Sequence, residues 1–245
     1  MRIHADSFLL KTPIAHRGLH DAGAGIPENS YAAFAAAVRE GYAIELDVRF
    51  SSDGKIVVFH DDSLARMTGE NADVAQKTYG ELSSLRLLET QEHIPLFEEV
   101  LESVDGKVPL LIELKDQHGR KGLTQGTISA LKNYKGEFAL QSFHPLYLLE
   151  MKKLAPDILR GQLGCFYQKF SFSRYIVKNM NLHALTDPDF ISYNIDDLPF
   201  RKARKKGTAL LGWTVRTQEE YNRVRPIVDN FIFEKIRPAK KDDLL

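Results

Sequence analysis

Residues 44–62 read IELDVRFSSDGKIVVFHDD, and the acids Glu45 and Asp47 interrupt what is otherwise an apolar run. Side chains alternate with period two along a strand, so Glu45 and Asp47 share one face and Ile44, Leu46 and Val48 the other. PLLIELKD repeats the pattern, with Glu113 and Lys115 on one face and Ile112 and Leu114 on the other. IAHRG adds His16 and Arg17, and the run after the turn ends in His60. Three carboxylates gathered in an interior would repel one another and lose hydration, at about several kcal/mol each. Two compensations are available. One is a divalent cation with oxygen ligands Glu45, Asp47 and Glu113; with no thiolates among them, Mg²⁺ or Ca²⁺ suits the set better than Zn²⁺. The other is an ionic cluster closed by Arg17 and Lys115 alone. The cation is the favoured reading. His16 and His60 beside a hard cation suit general acid–base work, the alternatives being ligands or packed core histidines. His4, His20, His93, His118, His144 and His183 default to surface or structural places.

Positioning these groups requires several strand ends to converge. Candidate strands are Thr12–His16, Ala43–Phe50, Pro109–Lys115, Phe138–Phe143, Leu159–Gly164, Phe190–Tyr193, Ala209–Val215 and Val228–Phe233. Helical patterns alternate with them: Ser30–Gly41, His144–Pro156, Asp197–Gly207 and Thr217–Pro226, each opened by a capping residue or closed by Gly or Pro. About eight such units in a chain of this size predict a (β/α)₈ TIM barrel, whose chemistry gathers at the C-terminal ends of the strands. A doubly wound sheet is the rival, weakened by the absence of a Gly-rich loop after the first strand. Lys55–His60 lies too close to Phe50 for a helical crossover and reads as a β-hairpin return strand. If Asp53-Gly54 is a two-residue turn, the paired residues sum to 107 and His60 falls opposite Asp47; a one-residue change in the loop moves it opposite Leu46. Residues 61–108 form a small insertion, polar in its first half and ending in an amphipathic helix over Ile94–Val104. One domain is expected over residues 1–245.

Composition bounds the function. Of 245 residues, 43% are hydrophobic and 27% charged, an ordinary globular balance. Lys plus Arg and Asp plus Glu each total 33, so no global field favours nucleic acid or an anionic membrane. RKARKK (Arg201–Lys206) reads as the solvated face of a helix rather than a polyanion patch. One cysteine, Cys165, excludes an internal disulfide, and no apolar run is long enough to span a bilayer. A cytoplasmic enzyme without stable membrane insertion is expected, and a homodimer is compatible with the sequence.

AHRG, PENS, ELDV, DG, VVFHDD, IPLFEEVL, LIELK, QSFHP and GWTV occur in that order, and together they resemble the glycerophosphodiester phosphodiesterase family. The resemblance implies a (β/α)₈ barrel and a metal-dependent phosphodiesterase that splits a small glycerophosphodiester substrate into glycerol 3-phosphate and an alcohol. It further implies Glu45, Asp47 and Glu113 as metal ligands, His16 and His60 as the acid–base pair, and Arg17 and Lys115 as phosphate contacts. Glu28 and Asn29 match the PEN element and are expected to cap and orient the helix from Ser30. Two rim positions depart from the family pattern: Arg216 follows GWTV where Asn is common, and the last strand ends Phe233-Glu234-Lys235 rather than in Thr-Asp. Phe143, Phe166 and Trp213 are candidates for the alcohol pocket, with core packing the equal alternative for each. Arg216 is a candidate to reach a second anionic group of the substrate, pairing with Glu234 being the blander and favoured reading. A phospholipase D-like hydrolase of lysophospholipids or sphingolipids is the nearest alternative, and a non-catalytic phosphate-ester binder is the alternative from a different class.

Overall fold

The computed structural model describes residues 3–117, 121–166, 175, 177–203 and 207–239. Its strands are β1 (Ile14–Ala15), β2 (Ala43–Phe50), β3 (Ile56–Val58), β4 (Leu110–Leu114), β5 (Phe138–Ser142), β6 (Arg160–Gly164), β7 (Phe190–Asn194), β8 (Ala209–Val215) and β9 (Asn230–Phe233). Their order and the helices between them are those of a (β/α)₈ barrel. The chain divides into two compact units, residues 15–137 and residues 1–14 with 138–245.

In the first unit β2 pairs parallel to β4 and antiparallel to β3. Ile44, Leu46 and Val48 on the apolar face of β2 are fully buried, as the alternation requires. The helix Tyr31–Glu40 starts at Ser30, whose hydroxyl accepts from the Ala33 N–H, and ends at Gly41 in the left-handed region. The hairpin differs from the two-residue turn. Val48 faces Val58 and Phe50 faces Ile56, so pairs sum to 106. The loop holds three residues, Ser52 to Gly54, closed by the Ser51 N–H on the Lys55 carbonyl at 2.9 Å, with Gly54 supplying φ +79°. This register puts Phe59 opposite Asp47, its N–H on the Asp47 carbonyl at 3.0 Å, and leaves His60 to be aimed by other contacts.

The polar-looking excursion builds a core of its own. Leu64, Met67, Val74, Leu82, Leu87 and Ile94 bury against Val57 and Phe59. Their spacing follows neither strand nor helix period, because the segment is made of short helices such as Ala65–Thr68 and Tyr79–Ser84. The amphipathic helix that follows runs Phe97–Val104.

In the second unit β5 to β9 form a parallel run. Asn230 ties it to the N-terminal segment through the carbonyls of Phe8 and Thr12, at 3.1 and 2.8 Å. The helix expected over Asp197–Gly207 is absent among its described residues: Asp197 ends a short 3₁₀ helix, Ile195–Asp197, and residues 201–203 form turns. Residues 204–206 of that stretch, like His118, lie outside the described residues. Leu198 precedes Pro199 and is extended, φ −94° and ψ 145°, the conformation that a following proline favours over the helix.

Candidate active site

β2 carries Glu45 and Asp47 on its polar face, and the parallel register sets Glu113 of β4 directly beside Asp47. All three carboxylates are buried, and each offers an oxygen within 4.8 Å of the others. β1 ends at Ala15, and the chain leaves it through His16, then Arg17 at φ 54° and Gly18 at φ 78°. Two left-handed residues in succession turn the backbone sharply over β2. A side chain at Gly18 would meet the backbone of Ala33 at 2.9 Å, so both the conformation and the close approach require glycine there. The turn brings the Arg17 N–H onto the Glu45 carboxylate at 3.0 Å and His16 Nε2 to 4.0 Å from it.

Both expected cations are in place. Lys115 Nζ lies 2.7 Å from Glu113 Oε1 and 3.4 Å from Asp47 Oδ1, and Arg17 Nε lies 3.5 Å from Asp47 Oδ2. The ionic cluster is therefore real, but two cations face three carboxylates. Burial resists ionisation of Asp47; Lys115, the neighbouring His60, Arg17 and the Asn29 amide outweigh it and hold that carboxyl far below its usual range. Glu45 goes the other way. Burial, with Asp47 and Glu113 alongside, pushes it well above the ordinary value, against the smaller pull of Arg17. An all-oxygen, buried donor set with charge still to neutralise fits a hard divalent cation, and Glu45, Asp47 and Glu113 are the residues that would hold it.

Glu28 and Asn29 do not cap the helix; Ser30 does. Asn29, at φ 52°, points at the triad instead, its Nδ2 donating to Asp47 Oδ2 at 2.9 Å. The Glu28 carboxylate accepts from Arg17 Nη1 at 2.7 Å and from Arg66 at 2.6 and 3.0 Å. Burial opposes its charge, yet the two guanidiniums keep its pKa below the usual carboxylate range.

Sequence reasoning missed Arg49. It continues the alternation of Glu45 and Asp47, and it is buried. Its guanidinium donates to the Phe59 carbonyl at 3.2 Å, the His60 carbonyl at 2.6 Å and Asp62 at 2.6 Å. Once β3 stops at Val58, Arg49 supplies the hydrogen bonds that the ladder no longer can. His60 Nδ1 in turn lies 2.6 Å from Asp61 Oδ1.

Phe143, Phe166, Trp213 and Arg216 belong to the other unit. Phe143 and Trp213 meet edge to face at 5.7 Å between centroids, and the buried Trp213 indole N–H has no hydrogen-bond partner among the described residues. Phe166 is exposed, stacks edge-on against Phe200 and lies under Lys178 Nζ at 3.7 Å. Arg216 Nε pairs with Glu234 at 2.6 Å.

A strand-mounted carboxylate triad flanked by histidines, arginine and lysine on a (β/α)₈ barrel matches the layout of a phosphoric diester hydrolase, and the comparisons with known proteins agree. The model of the glycerophosphoryl diester phosphodiesterase family matches residues 16–234, and the chain belongs to that family. A glycerophosphodiester phosphodiesterase of Caldanaerobacter subterraneus subsp. tengcongensis is 31% identical over 232 residues, 89% of this chain and 92% of the relative. An Oleispira antarctica phosphodiesterase solved in complex with the product sn-glycerol-3-phosphate superposes with a TM-score of 0.78 at 24% identity, covering 92% of this chain and 93% of that one. The glycerophosphodiester phosphodiesterase of Thermotoga maritima gives a TM-score of 0.71 at 26% identity, with 91% and 94% covered.

Proposed function

We propose that this chain, acting as one catalytic domain, hydrolyses glycerophosphodiesters to glycerol 3-phosphate and an alcohol, with a divalent cation, Mg²⁺ or Ca²⁺, at Glu45, Asp47 and Glu113. The observation that carries the reading is the buried triad, within 4.8 Å ligand to ligand, with His16 and Arg17 delivered onto Glu45. When bound, the cation supplies charge neutralisation at the phosphate and polarisation of phosphorus. Arg17 and Lys115 hold the remaining phosphate oxygens. One of His16 and His60 accepts the proton of the attacking hydroxyl, and the other donates a proton to the departing alkoxide oxygen. In a glycerol diester the neighbouring hydroxyl is a suitable first nucleophile: its oxygen bonds to phosphorus, the alcohol leaves, and water then opens the cyclic phosphate.

Phe143 and Trp213 are retained as candidates for contact with the alcohol moiety. Arg216 is already engaged by Glu234, so Arg216→Asn should leave headgroup preference unchanged. A rise in KM confined to anionic headgroups would bring it into the pocket. A lysophospholipid substrate would call for apolar side chains offered outward by the excursion, and residues such as Leu64, Met67 and Leu82 are spent on its own core. Among the described residues no helix is long and apolar enough to cross a membrane. The lone Cys165 supports a reducing compartment such as the cytoplasm. A coupled assay of glycerol 3-phosphate release, run over several headgroups with and without EDTA, tests the reading. No release from any glycerophosphodiester with Mg²⁺ or Ca²⁺ present would overturn it.

A further inference from the structure

Arg66 sits in the short helix Ala65–Thr68 of the excursion, and no motif of the sequence singles it out. Its three nitrogens all have acceptors. Nε donates to Asp61 Oδ2 at 2.6 Å, Nη2 to Glu28 Oε1 at 2.6 Å and Nη1 to Glu28 Oε2 at 3.0 Å. Each acceptor passes an oxygen on to a residue of the site: Asp61 Oδ1 to His60 Nδ1 at 2.6 Å, and Glu28 Oε1 to Arg17 Nη1 at 2.7 Å.

We propose that Arg66 is a positioning residue of the phosphodiester site, holding His60 through Asp61 and Arg17 through Glu28. The proposal rests on the roles given above to His60 and Arg17. An ionised carboxylate only accepts hydrogen bonds, so the imidazole must carry its proton on Nδ1 to meet Asp61, which makes Nε2 the nitrogen that exchanges protons with substrate. Asp61 can hold that geometry only while its other oxygen is anchored, and Arg66 is the anchor. On the far side, Glu28 would otherwise be neutralised by Arg17 alone and compete with phosphate for it. Sharing Glu28 between two guanidiniums lowers that competition.

The alternative is an exposed ion pair of little consequence. Arg66 itself is 47% exposed, so that reading has weight. Geometry argues against it: both ends of the guanidinium are engaged, its partners are 14% and 25% exposed, and each partner is committed to a residue of the site. Such a fork is the arrangement in which arginine specifies orientation as well as charge.

The test uses Arg66→Met, Arg66→Lys and Asp61→Asn in the full chain. In each, the tautomer of His60 is read by ¹⁵N NMR of the imidazole nitrogens, and kcat and KM are measured with glycerophosphocholine and Mg²⁺. Arg66→Met is expected to lower kcat about 10-fold or more, short of the roughly 100-fold expected for loss of an acid or base itself. It should also move His60 from a single Nδ1–H tautomer to a mixture. Asp61→Asn should move the tautomer likewise, and Arg66→Lys should recover part of kcat. An unchanged His60 tautomer in folded Arg66→Met overturns the proposal, and should Arg66→Met not fold, Arg66→Lys, which keeps the charge but not the fork, decides by the same tautomer readout. If His60→Ala keeps full turnover while Arg66→Met still shifts the tautomer, the positioning relationship stands and the role assigned to His60 falls.

Discussion

Asn29 grips Asp47 at two points: its amide nitrogen donates to the carboxylate at 2.9 Å, and its amide oxygen accepts from the Asp47 backbone N–H at 3.4 Å. One side chain thus fixes both the strand position and the rotamer of a proposed metal ligand. Asparagine is also among the few residues other than glycine that tolerate the φ of 52° found there. Asn29→Asp keeps the shape and replaces the donor with a fourth carboxylate against Asp47. Calorimetry with Mg²⁺ should show weakened binding, while Asn29→Ala, which leaves a buried carboxylate oxygen short of a partner, should cost roughly 1–3 kcal/mol of stability in denaturant titration. Wild-type values in both variants would reduce the clasp to a packing contact.

The triad predicts one divalent cation per chain. Titration of the metal-free protein with Mg²⁺ and with Ca²⁺ should give a single site, lost in the double variant Glu45→Gln/Asp47→Asn. Equal affinity in that variant would place the cation elsewhere.

His16→Ala and His60→Ala should each lower kcat by about 10²-fold or more with the fold intact, the usual scale for a lost general acid or base. Stopped and continuous assays of glycerol 3-phosphate release, with circular dichroism as the folding control, check this. Normal turnover in either variant removes that histidine from the acid–base pair.

Strand positions and the triad were legible in the sequence because both follow from period-two alternation, which survives in any parallel sheet with one polar face. Glu28 and Asn29 were not. They lie outside the strands, and their reach depends on the left-handed turns at Arg17 and Asn29, which motif spacing does not encode. The hairpin register was undecided by one residue because Asp-Gly suits a three-residue loop as well as a two-residue one. Leu64, Met67 and Val74 looked like scattered apolar residues in a polar stretch, since a core assembled from single helical turns has no period to find.

Glu45 makes stability depend on pH and on metal. Burial first, then Asp47 and Glu113, raise its carboxyl above the ordinary value of 4.5. A carboxyl whose folded pKa lies above its unfolded one destabilises the fold as pH rises: the penalty is absent below about pH 4.5 and grows until the folded pKa is passed. In EDTA at pH 7, Glu45→Gln should therefore melt above wild type, with the gap closing toward pH 4.5. Adding Mg²⁺ should raise the wild-type Tm and leave that of Glu45→Gln nearly unmoved. A gap in Tm that is the same at both pH values would mean that Glu45 is ionised in the metal-free fold at little cost.

Arg49 yields the last prediction. Its buried guanidinium holds the carbonyls of Phe59 and His60 beyond the last pair of the β2–β3 ladder. The register alone would leave His60 opposite Leu46, on the apolar side of the strand, and Arg49 holds the His60 carbonyl after β3 ends, so losing that bond should misplace the imidazole. A lysine reaches one carbonyl at most, and a methionine neither, leaving two acceptors without their donor. Arg49→Met should therefore cost roughly 2–6 kcal/mol, taking about 1–3 for each unpaired carbonyl, and Arg49→Lys should cost less. Activity should separate the two effects. Arg49→Lys, folded under assay conditions, should lower kcat through misplacement of His60 while KM and Mg²⁺ affinity stay near wild type, because Arg17, Lys115 and the triad are held by other contacts. A rise in KM with kcat unchanged would instead show that Arg49 serves substrate binding, and no change in either would show that β3 and the excursion aim His60 without it.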